Sequence, residues 1–379
     1  MEDVQRVRAA AGVEEGVGEG MGGGEGVGAR FVGWLRGLLA VPSVTGYERP
    51  MFRRLEAEYG ALGLTTHRYF GTLAVSGDRP GEAVISCHVD RHGLVCTAPG
   101  EFEYAAHIVK FMGMHPGRRA SQEQLARIFT RFYGRGAVAY NAVTGETIAE
   151  GTIVGAEEQA PPRNLVFQIA GMQASAVLVG TPVGYRPELE VGGGRISGQL
   201  DNAVSVAVVR ELFDRGFRGT AVFTSEEEAG QSWKYLLAYL DRQRIETDRL
   251  IVLDTSPYPD AAGAEAQDVV LRRRDAGGVF NQRLAEELEG VCRELGVPHE
   301  FKDAYVEREN AARAERGEPP LRLGNTELGR VVEATGGQIN GATVQLPTHG
   351  YHTTFETVTE RAVGSVVRVL ERVVVEGRG

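Results

Sequence analysis

Apolar positions follow two periods along the first part of the ordered chain. The runs FVGWLRGLLAV and MFRRLEAEYGAL, from Phe31 onwards, have the 3.6-residue spacing of amphipathic helices. Short apolar runs near 72–75 and 83–87 predict strands. The segment VPSVTGYE between the two helices predicts a loop, with Ser43 or Thr45 as a candidate cap for the second helix. The beginning of the ordered chain therefore predicts an α/β domain.

The pattern changes after about Val95 and changes back near Arg195. Residues 96–192 contain the strand-like runs AVAYNAV, TIAEGTIVG, LVFQIAG and SAVLVGTPV, which are interrupted by one amphipathic helix at 121–133. We interpret this block as an inserted, mostly β and barrel-like domain. Its many short strands have edges that must be covered.

Helices and strands alternate again in the last part of the chain. AVSVAVVRELFDRG, SWKYLLAYL and FNQRLAEELEGVCRELG predict helices, and a terminal helix is expected from about Glu356. TAVFTS, RLIVLDT, VVLRRRD and ATVQLP predict strands. This alternation predicts the α/β fold class, with a mixed sheet between helices that is built from 31–95 and 193–379.

Composition and charge exclude several classes of protein. The chain has 379 residues, 42% of them hydrophobic, which is sufficient for a large core. The formal net charge is −10 and there is no dense basic block, so nucleic acid is not an expected partner. The triplet Arg272, Arg273 and Arg274 is interpreted as solvated charge at a sheet edge. No apolar run approaches the ~20 residues that span a bilayer, so no membrane association is expected.

The N-terminus and the cysteines bear on order and compartment. Residues 1–30 are rich in Gly and Glu and are predicted to form a disordered tail, within which Met1 or Met21 could be the start. The three cysteines, Cys87, Cys96 and Cys292, fit no disulfide or zinc-finger spacing. Reduced thiols in a cytoplasmic protein are therefore expected, with Cys87 as a small buried side chain.

Histidines and carboxylates follow several of the predicted strands. In α/β enzymes the ends of strands are where sites are usually built. The residues are His88 and Asp90 in AVISCHVDRHG, Asp201 in GQLDNAV, Glu226, Glu227 and Glu228 in AVFTSEEEAG, Asp254 in RLIVLDTS, and His349 and His352 in LPTHGYHTTFE. Three adjacent acids at a strand end repel one another, and a cation would relieve that repulsion.

Two of these assignments have alternatives. Asp201 precedes a helix, so it could act as its N-cap as well as bind metal. His92 has the same strand parity as His88, so periodicity leaves it open as a rival ligand.

The order of these segments resembles one enzyme family. His-x-Asp, Leu-Asp-Asn, Glu-Glu-x-Gly, Leu-Asp and a late His occur in the order found in dinuclear zinc aminopeptidases of the tetrahedral, deblocking and glutamyl type, some of which were named endoglucanases. The likeness covers nearly all of 31–375, including the β insertion.

The resemblance implies a role for each matching residue. His88 would bind one metal, with Asp90 as its orienting acid and Asp254 completing that site. Asp201 would bridge two metals, while Glu228 and His352 would bind the second. Glu227 would be the general base, with Glu226 as an alternative register. The implied cofactors are two divalent ions, Zn in the first place with Co or Mn as alternatives.

The same resemblance implies partners. The expected substrates are peptides that lose their N-terminal residue. The block 96–192 would act as a dimerisation domain, so a homo-oligomer, either a dimer or a larger closed assembly, is expected.

Five positions depart from the family pattern. Arg91 and His92 replace the usual Glu-Ile, Asn202 replaces Asp, and His349-Gly350 replaces Arg-Tyr. We expect these positions on the substrate side, with His349 as a candidate substrate-binding residue. They leave open a catalytically idle peptide-binding or assembly relative, or an amidohydrolase acting on a non-peptide N-acyl compound. Glycoside hydrolysis needs two carboxyls that flank one bond, an arrangement that adjacent Glu227 and Glu228 do not favour.

Overall fold

The computed structural model describes residues 27–111, 121–159 and 163–377. Residues 1–26 of the predicted disordered tail lie outside the described residues. The first described helix begins at Ala29, two residues before the predicted beginning of order.

A mixed sheet of eight strands forms the centre of the larger domain, in the order β1-β2-β12-β3-β13-β16-β14-β15. The strands of the described residues are β1 Thr65–Tyr69, β2 Thr72–Ser76, β3 Val84–His88, β4 Gly93–Ala98, β5 Glu101–Tyr104, β6 Gly136–Tyr140, β7 Thr147–Glu158, β8 Leu165–Ala170, β9 Pro182–Tyr185, β10 Leu189–Gly192, β11 Arg195–Gly198, β12 Thr220–Thr224, β13 Leu250–Pro257, β14 Val269–Leu271, β15 His299–Phe301, β16 Ala342–Thr348 and β17 Glu356–Thr359. The four central strands β12, β3, β13 and β16 are parallel, so their carboxyl ends meet at one edge.

Helices cover both faces of this sheet. The α-helices of the described residues are α1 Ala29–Ala40, α2 Arg49–Ala61, α3 Ala105–Phe111, α4 Gln122–Phe132, α5 Ala203–Asp214, α6 Ser232–Gln243, α7 Ala261–Glu265, α8 Gln282–Glu294, α9 Lys302–Glu315, α10 Glu327–Thr335 and α11 Glu360–Leu370, and a π-helix at Glu371–Val375 continues α11. Because side chains alternate along a strand, Ile85 and Cys87 pack with α1, α2, α5, α8 and α11, whereas Val84 packs with α6 and α10. The predicted helix-sandwiched mixed sheet is confirmed.

The middle of the chain forms a closed antiparallel barrel, in the order β4-β5-β8-β7-β6-β9. The predicted amphipathic helix is α4, whose Leu125, Ile128 and Phe132 pack into the barrel core. A capping box between Ser121 and Gln124 fixes its start. Since closure pairs every barrel strand on both sides, its edges need no external cover, contrary to our expectation. The boundaries of the predicted domain stay a prediction.

Several local predictions are wrong. The terminal helix begins at Glu360 rather than Glu356, because Glu356–Thr359 pairs with β11. Arg272 is not solvated: it is 5% exposed, and it donates hydrogen bonds to Gln345 and to the Leu323 carbonyl. Four helices, α3, α7, α9 and α10, are not predicted, because α3, α7 and α10 are short and the hydrophobic periodicity of α9 is weak.

The loop before α2 also differs from the prediction. Neither Ser43 nor Thr45 caps that helix, whose N-cap position is Glu48. Ser43 donates instead to the Val89 carbonyl, and Thr45 donates to the carboxylate of Asp90.

The remaining global predictions concern thiols and membranes. Cys87, Cys96 and Cys292 are free and buried. In the described ranges, no helix combines the length and the apolar character needed to cross a membrane.

Candidate metal centre

Three predicted ligands converge where the parallel strands end. His88 is the last residue of β3, and Asp254 lies in the adjacent β13. The Nε2 atom of His88 is 3.2 Å from Asp201 Oδ1 and 3.5 Å from Asp254 Oδ1. His88 and Asp201 are buried, and Asp254 is half-buried, so this first group of ligand atoms is shielded from bulk water.

A second group lies on the other side of Asp201. The Nε2 atom of His352 is 3.3 Å from Asp201 Oδ2 and 3.7 Å from Glu228 Oε2. The Nε2 atom of His92 is 3.0 Å from Glu228 Oε1. The ligand atoms of His92, Glu228 and His352 all lie within 4.8 Å of one another. His92, which the sequence leaves open as a rival ligand, is therefore part of this cluster.

Asp201 lies between the two groups. Its two carboxylate oxygens face different imidazoles, Oδ1 facing His88 and Oδ2 facing His352. Its backbone N–H donates to Glu356 Oε2 at 2.9 Å, and Thr348 donates to the other oxygen of Glu356. The N-cap position of α5 falls on Asn202 without a side-chain hydrogen bond, so Asp201 is not acting as a helix cap.

The donor set fits divalent metal. Ligands about 2.0–2.1 Å from a tetrahedral ion lie roughly 3.3–3.4 Å apart, which is close to the separations measured here. Within the described chain, four of these buried atoms have no hydrogen-bond partner: Asp201 Oδ1, Glu228 Oε1, His92 Nε2 and His352 Nε2. Buried polar atoms are normally satisfied, so a cation in each group would account for them.

Asp90 connects the His88 segment to the acidic segment. Its carboxylate accepts the backbone N–H of Glu227 at 2.9 Å and of Glu228 at 3.1 Å. Thr45 donates a further hydrogen bond to the same carboxylate. The Nδ1 atom of His88 lies 3.1 Å from the backbone oxygen of Asp90 and 3.4 Å from its carboxylate. Asp90 thus positions both segments, rather than His88 alone.

The three adjacent glutamates point in different directions. Glu226 adopts a φ of 59°, in the left-handed region, and its carboxylate accepts a hydrogen bond from Tyr235. Glu228 belongs to the second ligand group. Glu227 lines an adjacent cleft together with His88, Asp201 and Asp254. The left-handed backbone at Glu226 turns it away from the ligands.

Burial raises the pKa of the acids around the centre. Burial and the charge of Asp201 raise the pKa of Glu228 well above its ordinary range, and burial raises the pKa of Asp254. Burial raises the pKa of Glu227 to about 8. These carboxyls are therefore costly to ionise without a nearby positive charge.

The imidazoles respond to two opposing effects. Burial lowers the pKa of His92 well below its ordinary value and lowers that of His352 to about 4. Burial acts in the same direction on His88, but the neighbouring carboxylates of Asp201, Asp254 and Asp90 raise its pKa well above the ordinary value. For Asp201, burial is outweighed by the close imidazoles of His352 and His88, which lower its pKa.

A cleft of about 650 Å³ opens beside the first ligand group. Its wall is basic, with the cationic side chains Arg127, Arg272, Lys302 and Arg322. Lys302 is 7% exposed, donates to the Pro257 carbonyl, and lies over the ring of Tyr258 at 3.6 Å. Burial and the charge of Arg272 lower the pKa of Lys302 to about 7.

The positions that depart from the family pattern make specific contacts in the fold. Asn202 is fully buried and donates to the Leu253 carbonyl, while buried Arg91 donates to the carbonyls of Leu39 and Val41. The backbone of His349 pairs with Thr357, and Tyr351 rather than His349 lines the cleft. Arg91 and Asn202 are therefore held by main-chain carbonyls, and their place on the substrate side, like substrate binding by His349, stays a prediction.

Sequence reasoning missed several residues that position the centre. Thr45, Glu356 and Tyr104 each contact a ligand or its neighbour, yet each lies far along the chain from the residue it contacts. The sequence contains only weak signals for these residues. Glu356 is the last residue of the segment LPTHGYHTTFE, and Thr45 is predicted only as a candidate helix cap.

Part of the chain matches a known protein family. Residues 168–318 match the model of the M42 glutamyl aminopeptidase family. This match confirms the predicted resemblance and the prediction of a peptide-hydrolysing enzyme. No curated protein matches the chain significantly.

Solved structures share the fold. An aminopeptidase from the archaeon Desulfurococcus kamchatkensis is 15% identical over 92% of this chain and 95% of its own, with a TM-score of 0.66. The Pyrococcus horikoshii TET1 peptidase, described as a tetrahedron or a large octahedral shell, is 16% identical over 91% and 99%, with a TM-score of 0.64. An endoglucanase from Thermotoga maritima is 14% identical over 90% and 96%, with a TM-score of 0.60.

We expect Asp90→Asn to destabilise the protein even without metal. An amide offers N–H where the carboxylate accepts hydrogen bonds, so at least one buried backbone N–H loses its acceptor, at a cost of about 1–3 kcal/mol. Urea unfolding of the metal-free protein measures this loss. Asp78→Asn, at an exposed side chain paired with Arg218, is the matched control and should leave the midpoint unchanged. Equal midpoints for both variants would show that Asp90 does not hold the acidic segment.

We expect Lys302→Met to remove part of the pH dependence of stability. The folded pKa of about 7 lies below the unfolded value of about 10.4, so between these values the unfolded state binds more protons. Stability therefore rises with pH over this window, by about 2 kcal/mol from pH 7 to 9 for this group. Urea unfolding at both pH values should show that the variant loses this increment. Lys234→Met, at an exposed position, should retain it; an unchanged slope in Lys302→Met would contradict the assignment.

Proposed function

We propose that this chain is a metal-dependent aminopeptidase that removes N-terminal residues from peptides at a dinuclear centre. The observation that carries the proposal is the position of Asp201 between two groups of buried ligand atoms, with Glu227 beside them in a cleft. The match of residues 168–318 to the M42 glutamyl aminopeptidases supports the same reaction. The favoured metal is zinc, because imidazole and carboxylate donors suit it, with cobalt or manganese as alternatives.

The proposed ligand assignment follows the two groups. His88, Asp201 and Asp254 would hold one ion, and Asp201, Glu228 and His352 the other. Two divalent ions held by these residues would lower the pKa of a bound water from ~9 for the aqueous ion towards ~7 and would polarise the scissile carbonyl. Asp90 keeps Glu227 and Glu228 at a fixed separation from His88 through their backbone N–H groups.

Glu227 is the proposed general base. Its carboxylate accepts a proton from the attacking water and passes it to the leaving amine as the peptide bond breaks. It lines the cleft with one ligand group, whereas Glu226 is bound to Tyr235 and is not available for this role. The basic wall around Arg272 and Lys302 could bind the carboxylate of a short peptide whose amine lies at the centre.

The three glutamates offer a matched test of these roles. Glu227→Gln keeps the shape but cannot accept a proton, so kcat on aminoacyl anilides should fall by ~10²–10⁴ with the metal content unchanged. Glu228→Gln should instead lower the metal content, measured by mass spectrometry of the purified protein. Glu226→Gln, from the same triplet, should retain both activity and metal.

Two results would overturn this assignment of roles. One is a Glu227→Gln variant that keeps most of its activity. The other is loss of metal from Glu227→Gln with full metal in Glu228→Gln. Inactivity of the metal-loaded parent on every aminoacyl anilide would favour the idle relative over the aminopeptidase.

We also propose that the chain forms a homo-oligomer through its barrel. Among the described residues, large exposed apolar side chains on the barrel include Ile148, Val154, Leu178 and Val179, with Leu178 72% exposed. Exposed apolar surface of this kind often marks a protein interface. The shells described for the Pyrococcus horikoshii peptidase, which shares this fold, support such an assembly.

Sedimentation at micromolar concentration tests the assembly. The parent should sediment as an oligomer, and Leu178→Glu with Val179→Glu should shift it to smaller species, because charge would be buried in the interface. The control is Phe70→Glu, which changes an 84% exposed side chain outside the barrel and should leave the assembly intact. A parent that sediments only as a monomer would refute the proposal.

A further inference from the structure

His92 is a buried imidazole in the centre to which the family resemblance gives no role, since an isoleucine is usual at this position. We propose that His92 is an additional protein ligand of the second metal position, together with Asp201, Glu228 and His352. This inference rests on the proposed metal centre and deepens it. It makes the two metal positions chemically unequal.

The geometry around His92 is that of a ligand. Its side chain is 3% exposed, and its Nε2 atom lies 3.0 Å from Glu228 Oε1. Despite this short distance, neither atom has a hydrogen-bond partner within the described chain, so their orientation is not that of a donor and an acceptor. The ring also approaches that of His352, with centroids 3.8 Å apart. Atoms that approach without bonding one another are expected of ligands directed at a shared ion.

The other ring nitrogen of His92 is held by the barrel. Nδ1 makes a hydrogen bond with the hydroxyl of Tyr104, at the end of β5. With Nδ1–H as donor to this hydroxyl, the Nε2 lone pair is free and directed at the second ligand group. The backbone oxygen of His92 accepts a hydrogen bond from Gln199 at 2.9 Å, which fixes the main chain.

The alternative is that His92 only supports Glu228. In that arrangement Nε2–H would donate to Glu228, and Nδ1 would accept from Tyr104. The two arrangements differ in whether His92 contributes a nitrogen to the metal, which is directly measurable.

A ligand role for His92 gives the two positions different preferences. The first position has one imidazole, from His88, and two carboxylates. The second has two imidazoles and two carboxylates, enough donors to fill a tetrahedron, as in tightly held zinc sites. Because imidazole favours zinc over manganese, the second position should take the first equivalent of zinc and leave the first position more open.

Metal binding tests the inference without reference to activity. Metal-free protein is loaded with one equivalent of Zn²⁺, and X-ray absorption at the zinc edge counts the imidazoles bound. Two imidazoles are expected. Competition with a chelator then compares affinities: His92→Leu should weaken the first equivalent by at least about 10–100-fold, the range known for loss of even an outer contact. His67→Leu, which removes an imidazole from β1, is the matched control and should bind as the parent does.

A milder variant guards against misfolding of His92→Leu. Tyr104→Phe keeps the ring and removes only the hydroxyl, so the first equivalent should bind about 10-fold or more weakly while the fold is retained. One imidazole per zinc in the parent, or unchanged affinity in His92→Leu and Tyr104→Phe, would overturn the ligand role. A parent that binds no zinc would instead refute the proposed metal centre, so the two failures are distinguishable.

Discussion

The structure depends on burying several carboxylates at one edge of a parallel sheet. Glu228, Asp254 and Glu356 all have raised pKa values with burial as the largest cause, and Asp201 lies among them. Ionised carboxylates close together in a low-dielectric site repel one another strongly. Only a nearby positive charge or protonation of the carboxylates relieves this repulsion. A divalent ion relieves it while the carboxylates stay ionised.

The sheet topology produces this concentration of charge. The parallel strands β3, β12, β13 and β16 end at the same edge, so segments far apart in the sequence are delivered together. Asp90 then connects two of these ends, because its carboxylate accepts N–H groups from the segment after β12. The positions of the candidate ligands therefore depend on backbone hydrogen bonds as well as on the ligand side chains.

The barrel contacts the candidate metal centre. Tyr104 reaches from β5 to His92, and Arg127 of α4 lines the cleft beside Glu227. The barrel and its helix α4 thus contact the second ligand group and line the cleft.

The sequence alone determined the fold class and the main ligand candidates. Strong periodicity predicts the sandwiched sheet and α4. His88 and Asp254 stand out because each ends an apolar strand, where α/β enzymes usually build sites, and because a half-buried carboxylate such as Asp254 needs a partner. Strand parity left His92 open beside His88, since parity gives a direction but no distance.

Only the tertiary structure decided which polar residues meet. Local sequence patterns indicate only local hydrogen bonding. From such patterns, Thr45 is predicted as a candidate helix cap and Glu356 as the start of a helix. In the fold, Thr45 donates to Asp90, and Glu356 accepts from Asp201 across 155 residues of sequence. Such contacts follow from strand order and burial, which bring distant segments together and penalise every polar group left unpaired.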